Sequence, residues 1–168
     1  MSLMWPGPIP EEAYQVYVDA WHRHADEPVR PNGPGDEPRV GTALFFAIAH
    51  DEAAAKEAAA RGWKGLMRRI VAVHDLDRLA LSAEEAEAAL SPLARAGQAL
   101  LSPGGDAILD QLTAMSGTPD HVAGALKEVL AQGRSDYLVL QVPTGDMTFE
   151  EARLTLRLFI DEVMPQLV

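Results

Sequence analysis

GTPDHVAGALKEVLAQGRSDYLVLQVPTGDMTFEEARLTLRLFIDEVMPQL, residues Gly117 to Leu167, reads as a helix, a strand and a second helix with every boundary marked. Thr118 ahead of Pro119 sets a capping hydroxyl before a proline at the first helical position, where a missing N–H costs nothing. Val122, Leu126, Val129 and Leu130 fall on one helical face, and Gly133 supplies the left-handed residue that commonly ends a helix. Tyr137 to Val142 is then an almost unbroken apolar run rich in strand formers, which predicts a parallel strand buried on both faces. Pro143, Thr144, Gly145 and Asp146 break the run. Thr148 with Glu151 forms a capping box, and Phe149, Ala152, Leu156, Phe159, Ile160 and Val163 repeat at helical spacing until Pro165.

Upstream, Val40 to Ala49 is continuously hydrophobic and predicts the other strand, again of the parallel kind. Asp51 is placed to cap a helix from Glu52 to about Arg61, Gly62 is expected to interrupt it, and Trp63, Leu66, Met67, Ile70 and Val73 start a further helical phase. Trp21 and Trp63 are expected to pack with their indole N–H groups at the surface. Met4 to Pro10 holds three prolines and one glycine, so it is an extended or turning entry and not a helix or central strand. Pro10, Glu11 and Glu12 open a helix with Ala13, Val16, Tyr17, Ala20 and Trp21 on its apolar face, and residues 26–38 form a loop rich in Pro, Gly and acid. Between Leu76 and Ser116 short helices are punctuated by a Ser82/Glu85 capping box, by Ser91-Pro92 and by the break Ser102-Pro103-Gly104-Gly105 before Asp106. The sum is a single α/β domain over 1–168 with about two parallel strands, near 40–49 and 137–142, in predominantly helical surroundings.

A formal charge of -11 would repel a nucleic acid or an anionic membrane surface, so neither is expected as a partner. The absence of cysteine excludes disulfides, thiolate nucleophiles and cysteine metal sites, and a cytoplasmic setting is the simplest compartment. The longest apolar run, Ala43 to Ala49, is far below the roughly 20 residues of a membrane helix. No dinucleotide fingerprint, phosphate-binding Gly-Lys-Ser/Thr loop or Gly-x-Ser-x-Gly elbow is present. His22, His24, His74 and His121 lack a partner at metal-ligand spacing and are assigned no role, and no metal site is expected. Parallel α/β folds place their chemistry at the carboxyl ends of the strands. His50 lies at that end of the first strand, where an imidazole can bind an anion or move a proton. Gln141, Thr144, Gly145 and Asp146 lie at the same end of the second, with Gly145 allowing close backbone approach to a ligand. The plainer reading of both is a solvent-exposed residue beside a cap and an ordinary turn.

Gly117-Thr118-Pro119, Asp136, Gly145, and above all Leu158-Phe159 with Glu162-Val163-Met164-Pro165-Gln166-Leu167, resemble the C-terminal end of the bacterial luciferase-like flavin monooxygenases. Arg39-Val40-Gly41 leading through Phe45-Phe46-Ala47 to Ala49-His50-Asp51-Glu52-Ala53 is similar to that family's late strand and the acidic helix after it. The resemblance implies a partial (β/α)8 barrel, since a full one needs about 250 residues and this chain has 168. It implies a reduced flavin, FMN, or a deazaflavin in some members, reacting with oxygen to oxygenate a small-molecule substrate. It places the loop Gln141 to Asp146 beside the cofactor, so that with His50, chosen for its strand-end position, Gln141, Thr144, Gly145 and Asp146 are the candidate cofactor-binding residues, and it offers no position for the catalytic ones, which lie mainly on earlier strands. On this reading the chain alone has little turnover and forms a homo-oligomer. Two other readings stay open: a non-catalytic acidic α/β interaction or oligomerisation module, and a mainly helical small-molecule binder.

Overall fold

The computed structural model describes residues 2–6, 9–24, 38–77, 92–142 and 144–167. In chain order the elements are β1 (Ser2–Pro6), α1 (Glu11–Arg23), β2 (Arg39–Leu44), α2 (Glu52–Asp77), α3 (Pro92–Leu101), α4 (Asp106–Thr113), α5 (Pro119–Ala131) and β3 (Tyr137–Leu140). A continuous helical run closes them, made of α6 (Phe149–Leu158), a π-helical turn (Phe159–Val163) and α7 (Met164–Leu167). The chain divides into two compact units: Met1–Phe45 with Gly124–Gln141, and Phe46–Ala123 with Val142–Val168.

The first unit holds a parallel sheet in the order β1-β2-β3. Its register sets Leu3 beside Val40 and Ala43 beside Val139. Gly41 has no side chain because the Tyr137 ring fills the place where a Cβ would stand. Asp136 fastens the start of β3 to β2, its carboxylate accepting the Val40 N–H at 2.7 Å and its own N–H donating to the Val40 carbonyl at 2.8 Å. The Thr42 and Ser135 hydroxyls bond to each other one layer further in. Arg134 reaches the Ile9 carbonyl at 2.7 Å and Glu11 at 3.5 Å, tying the start of α1 to the same end of the unit.

The two expected strands are present, adjacent and parallel, and a third was missed. β1 is an edge strand, which needs one ladder only and tolerates Pro6 at its last position. β2 is shorter than the expected 40–49. Regular pairing stops at Leu44, and beyond it one parallel bridge joins Ile48 to Gly117. β3 ends at Leu140 instead of Val142, and its four residues are half-buried instead of buried on both faces, because it borders one strand only among the described residues. Of the expected apolar face of α1, Trp21 is buried, Ala13, Tyr17 and Ala20 are half-buried, and Val16 is 70% exposed.

In the second unit α2 runs unbroken for 26 residues, and Gly62 does not interrupt it. Met67, Leu100 and Leu109 from α2, α3 and α4 form one buried cluster in it, with Trp63, Leu66, Ile70 and Leu112 packed against it. The Trp63 indole N–H, expected at the surface, is half-buried and donates to the Leu112 carbonyl at 3.2 Å. Pro92 starts α3 and Asp106 starts α4 after the Ser102–Gly105 break, as the sequence predicts. The Ser82/Glu85 box, Ser91 and the 26–38 loop up to residue 37 lie outside the described residues. Among the described residues no helix is long and apolar enough to cross a membrane.

Candidate functional site

After β2 the backbone loses its regular ladder, and its polar groups must find other partners in a buried setting. The second unit supplies them one by one. The Ala47 N–H donates to the Ser116 hydroxyl at 3.1 Å, the Gly117 N–H to the Ala47 carbonyl at 3.2 Å, and the Ala49 N–H to the Gly117 carbonyl at 3.2 Å. The Ile48 N–H donates to the hydroxyl of Thr155, a fully buried residue on α6, at 3.0 Å. This segment delivers His50, whose side chain is exposed. Asp51 caps α2 as predicted, its carboxylate accepting the Ala54 N–H at 2.8 Å. His121, assigned no role above, reaches the Ala114 carbonyl through Nε2 at 2.8 Å.

The loop leading into α6 is seated on α2. Thr144 is buried, and its carbonyl accepts the Met147 N–H at 3.1 Å to close a turn. Gly145 has φ +56°, and a Cβ there would collide with the Gly62 carbonyl oxygen. A Cβ on Gly65 would in turn strike Asp146. Two glycines one helical turn apart on α2 therefore admit the loop. Each costs about 1 kcal/mol of helix propensity against alanine, which the packing offsets and which explains why Gly62 leaves the helix whole. The close approach that Gly145 allows is thus made to α2. The Asp146 carboxylate completes the seat, taking Arg68 at 3.0 Å on one oxygen and Arg69 at 2.8 Å on the other.

Thr148 then caps α6 through the predicted box. The Glu151 N–H donates to the Thr148 hydroxyl at 3.3 Å, and the Thr148 N–H to the Glu151 carboxylate at 2.9 Å. The other Glu151 oxygen receives Arg61 of α2, which also holds Glu57 at 3.0 Å. Burial pushes the Glu151 carboxyl up, but the Thr148 N–H, the Arg61 guanidinium and the Thr148 hydroxyl outweigh it and hold it below the ordinary glutamate value. The same hydrogen bond raises the Arg61 guanidinium. A carboxylate whose folded pKa is depressed contributes stability that is complete above its unfolded value of 4.5 and is lost as pH falls through the folded value. In urea titrations across the acid range, wild type should therefore lose its advantage over Glu151→Gln as pH drops below about 4.5. A pH-independent difference would contradict the pairing.

Of the candidate residues, the second unit contains His50, Thr144, Gly145 and Asp146. Gln141 belongs to the first unit, where its N–H donates to the Leu44 carbonyl at 2.9 Å and its side chain is exposed. Arg61, Arg68 and Arg69 were missed. Their signal was an arginine cluster alternating with Gly62 and Gly65 in an otherwise acidic chain. Among the described residues no group of three or more His, Asp or Glu could hold a metal ion.

A parallel sheet whose strands are followed by helices defines an α/β protein. This one belongs to the luciferase-like monooxygenase family, whose model matches residues 2–136. The crystal structure of the monooxygenase RslO1 from Streptomyces bottropensis is similar to all of this chain, with a TM-score of 0.55 and 19% identity. The chain spans 42% of the length of that protein. No curated protein sequence matches it significantly.

Proposed function

We propose that this chain supplies the C-terminal part of a luciferase-like (β/α)8 barrel that uses reduced FMN, or a reduced deazaflavin, and oxygen to oxygenate a small organic molecule in the cytoplasm. The family match over residues 2–136 carries the reading, and the terminal resemblance at Leu158-Phe159 and Glu162 to Leu167 supports it. His50, Thr144, Gly145 and Asp146, all in the second unit, border the cofactor. The donor chemistry suits an anionic ring and phosphate: His50 is exposed, and the Asp146 charge, which would repel an anion, is cancelled by Arg68 and Arg69. The flavin when bound supplies the electrons and the oxygen activation. The protein residues orient it, with Gly145 and Asp146 keeping the loop rigid on α2.

By itself the chain has little or no turnover, because the family's catalytic positions lie mainly on earlier strands of the barrel. Titration of FMN and reduced FMN, followed by fluorescence, should give saturable binding to a longer gene product containing this chain and weak binding to residues 1–168. No binding to either would reject the assignment.

A further inference from the structure

Beside α6, within the second unit, lies a cavity of about 270 Å³ whose lining among the described residues is Glu150, Glu151, Arg153, Leu154 and Arg157. Helical spacing brings these positions together. Residues 150, 154 and 157 stand on one side of α6, with 153 on one shoulder and 151 on the other. The lining is mostly apolar, which half-buried Leu154 and the methylene stems of the two arginines account for.

Two glutamates in the lining do not make the cavity anionic, because each is already engaged. Arg153 holds Glu150 through Nε at 3.1 Å and Nη2 at 2.6 Å. Glu151 accepts the Thr148 N–H at 2.9 Å on one oxygen and receives Arg61 on the other. Arg157 is exposed and has no hydrogen-bond or ion-pair partner among the described residues. One charge in the cavity is therefore uncompensated, and it is a guanidinium beside an apolar surface in a chain that carries -11.

From this arrangement we infer that the cavity beside α6 binds a small organic monocarboxylate, its carboxylate on the Arg157 guanidinium and its apolar body on Leu154 and the arginine stems. The planar fork of an arginine matches a carboxylate with two parallel N–H bonds. A doubly charged anion such as phosphate fits less well, since its second charge would face Glu150 and Glu151. The volume of about 270 Å³ falls just under the roughly 300–1,000 Å³ of pockets for drug-sized ligands, so the occupant is smaller than a flavin. The site is thus separate from the proposed cofactor residues, and the inference stands or fails without flavin binding. One charge pair and a short apolar body place the affinity on the order of 1 mM.

Hexanoate is the probe, with hexanamide as the uncharged molecule of the same shape. In a ¹H–¹⁵N NMR titration of the ¹⁵N-labelled protein, hexanoate should shift the amide signals of Glu150 to Arg157 saturably, and hexanamide should bind at least about tenfold more weakly. Arg157→Gln should abolish the hexanoate response, while Arg157→Lys, which keeps the charge but not the fork, should recover part of it. Unchanged signals elsewhere in both spectra show that the fold is kept. Glu150→Gln releases Arg153 and should tighten hexanoate binding by about twofold or more. No saturable shift up to about 20 mM hexanoate, equal binding of hexanamide, or an Arg157→Gln protein that responds like wild type would overturn the inference.

Discussion

Replacing Gly145 by alanine should lower the melting temperature by about 10 °C, through the combined cost of a left-handed residue and an overpacked contact. The residue sits at φ +56°, and its Cβ would meet the Gly62 carbonyl, a backbone atom in the middle of a helix that cannot move aside alone. Gly124 is the control. It lies within α5, and a Cβ there would meet nothing within 4 Å. Gly124→Ala should be neutral or stabilising by up to about 1 kcal/mol. Thermal unfolding of both variants by circular dichroism separates the two cases. A Gly145→Ala protein melting with wild type would mean that the loop does not rest on α2.

Thr155→Val should cost about 1–3 kcal/mol although it preserves shape and removes a polar group from a fully buried site. The hydroxyl accepts the Ile48 N–H, and valine would leave that donor without its partner. Thr155→Ser keeps the oxygen and should recover most of the loss. Urea denaturation at neutral pH measures the three proteins, and equal stability of the valine variant would show that the Ile48 N–H has another acceptor.

The two strands, the caps at Asp51, Thr118 and Thr148, and the proline starts of α3 and α5 were legible because each depends on a few neighbouring residues. The misses are the features whose cause lies far away in sequence. β1 is five residues long and runs straight into the proline-rich stretch from Pro6 to Pro10, which hides it in the sequence, and it pairs along β2. Gly62 looks like a helix breaker until Gly145, 83 positions later by number, is seen to occupy the space it leaves. The two-sided burial expected of Tyr137 to Val142 depends on how many strands flank it, which hydrophobicity cannot report. The same holds for the candidate site. His50 and the loop through Asp146 followed from the rule that strands deliver function at their carboxyl ends, whereas Arg68 and Arg69 acquire meaning only once Asp146 lies between them.

The bond between Ile48 and Thr155 spans 107 positions in the chain. During translation the polypeptide around Ile48 leaves the ribosome long before Thr155 is made, and until then its amide has only water or transient companions. The native acceptor of the Ile48 N–H is therefore in place only once α6 has been made.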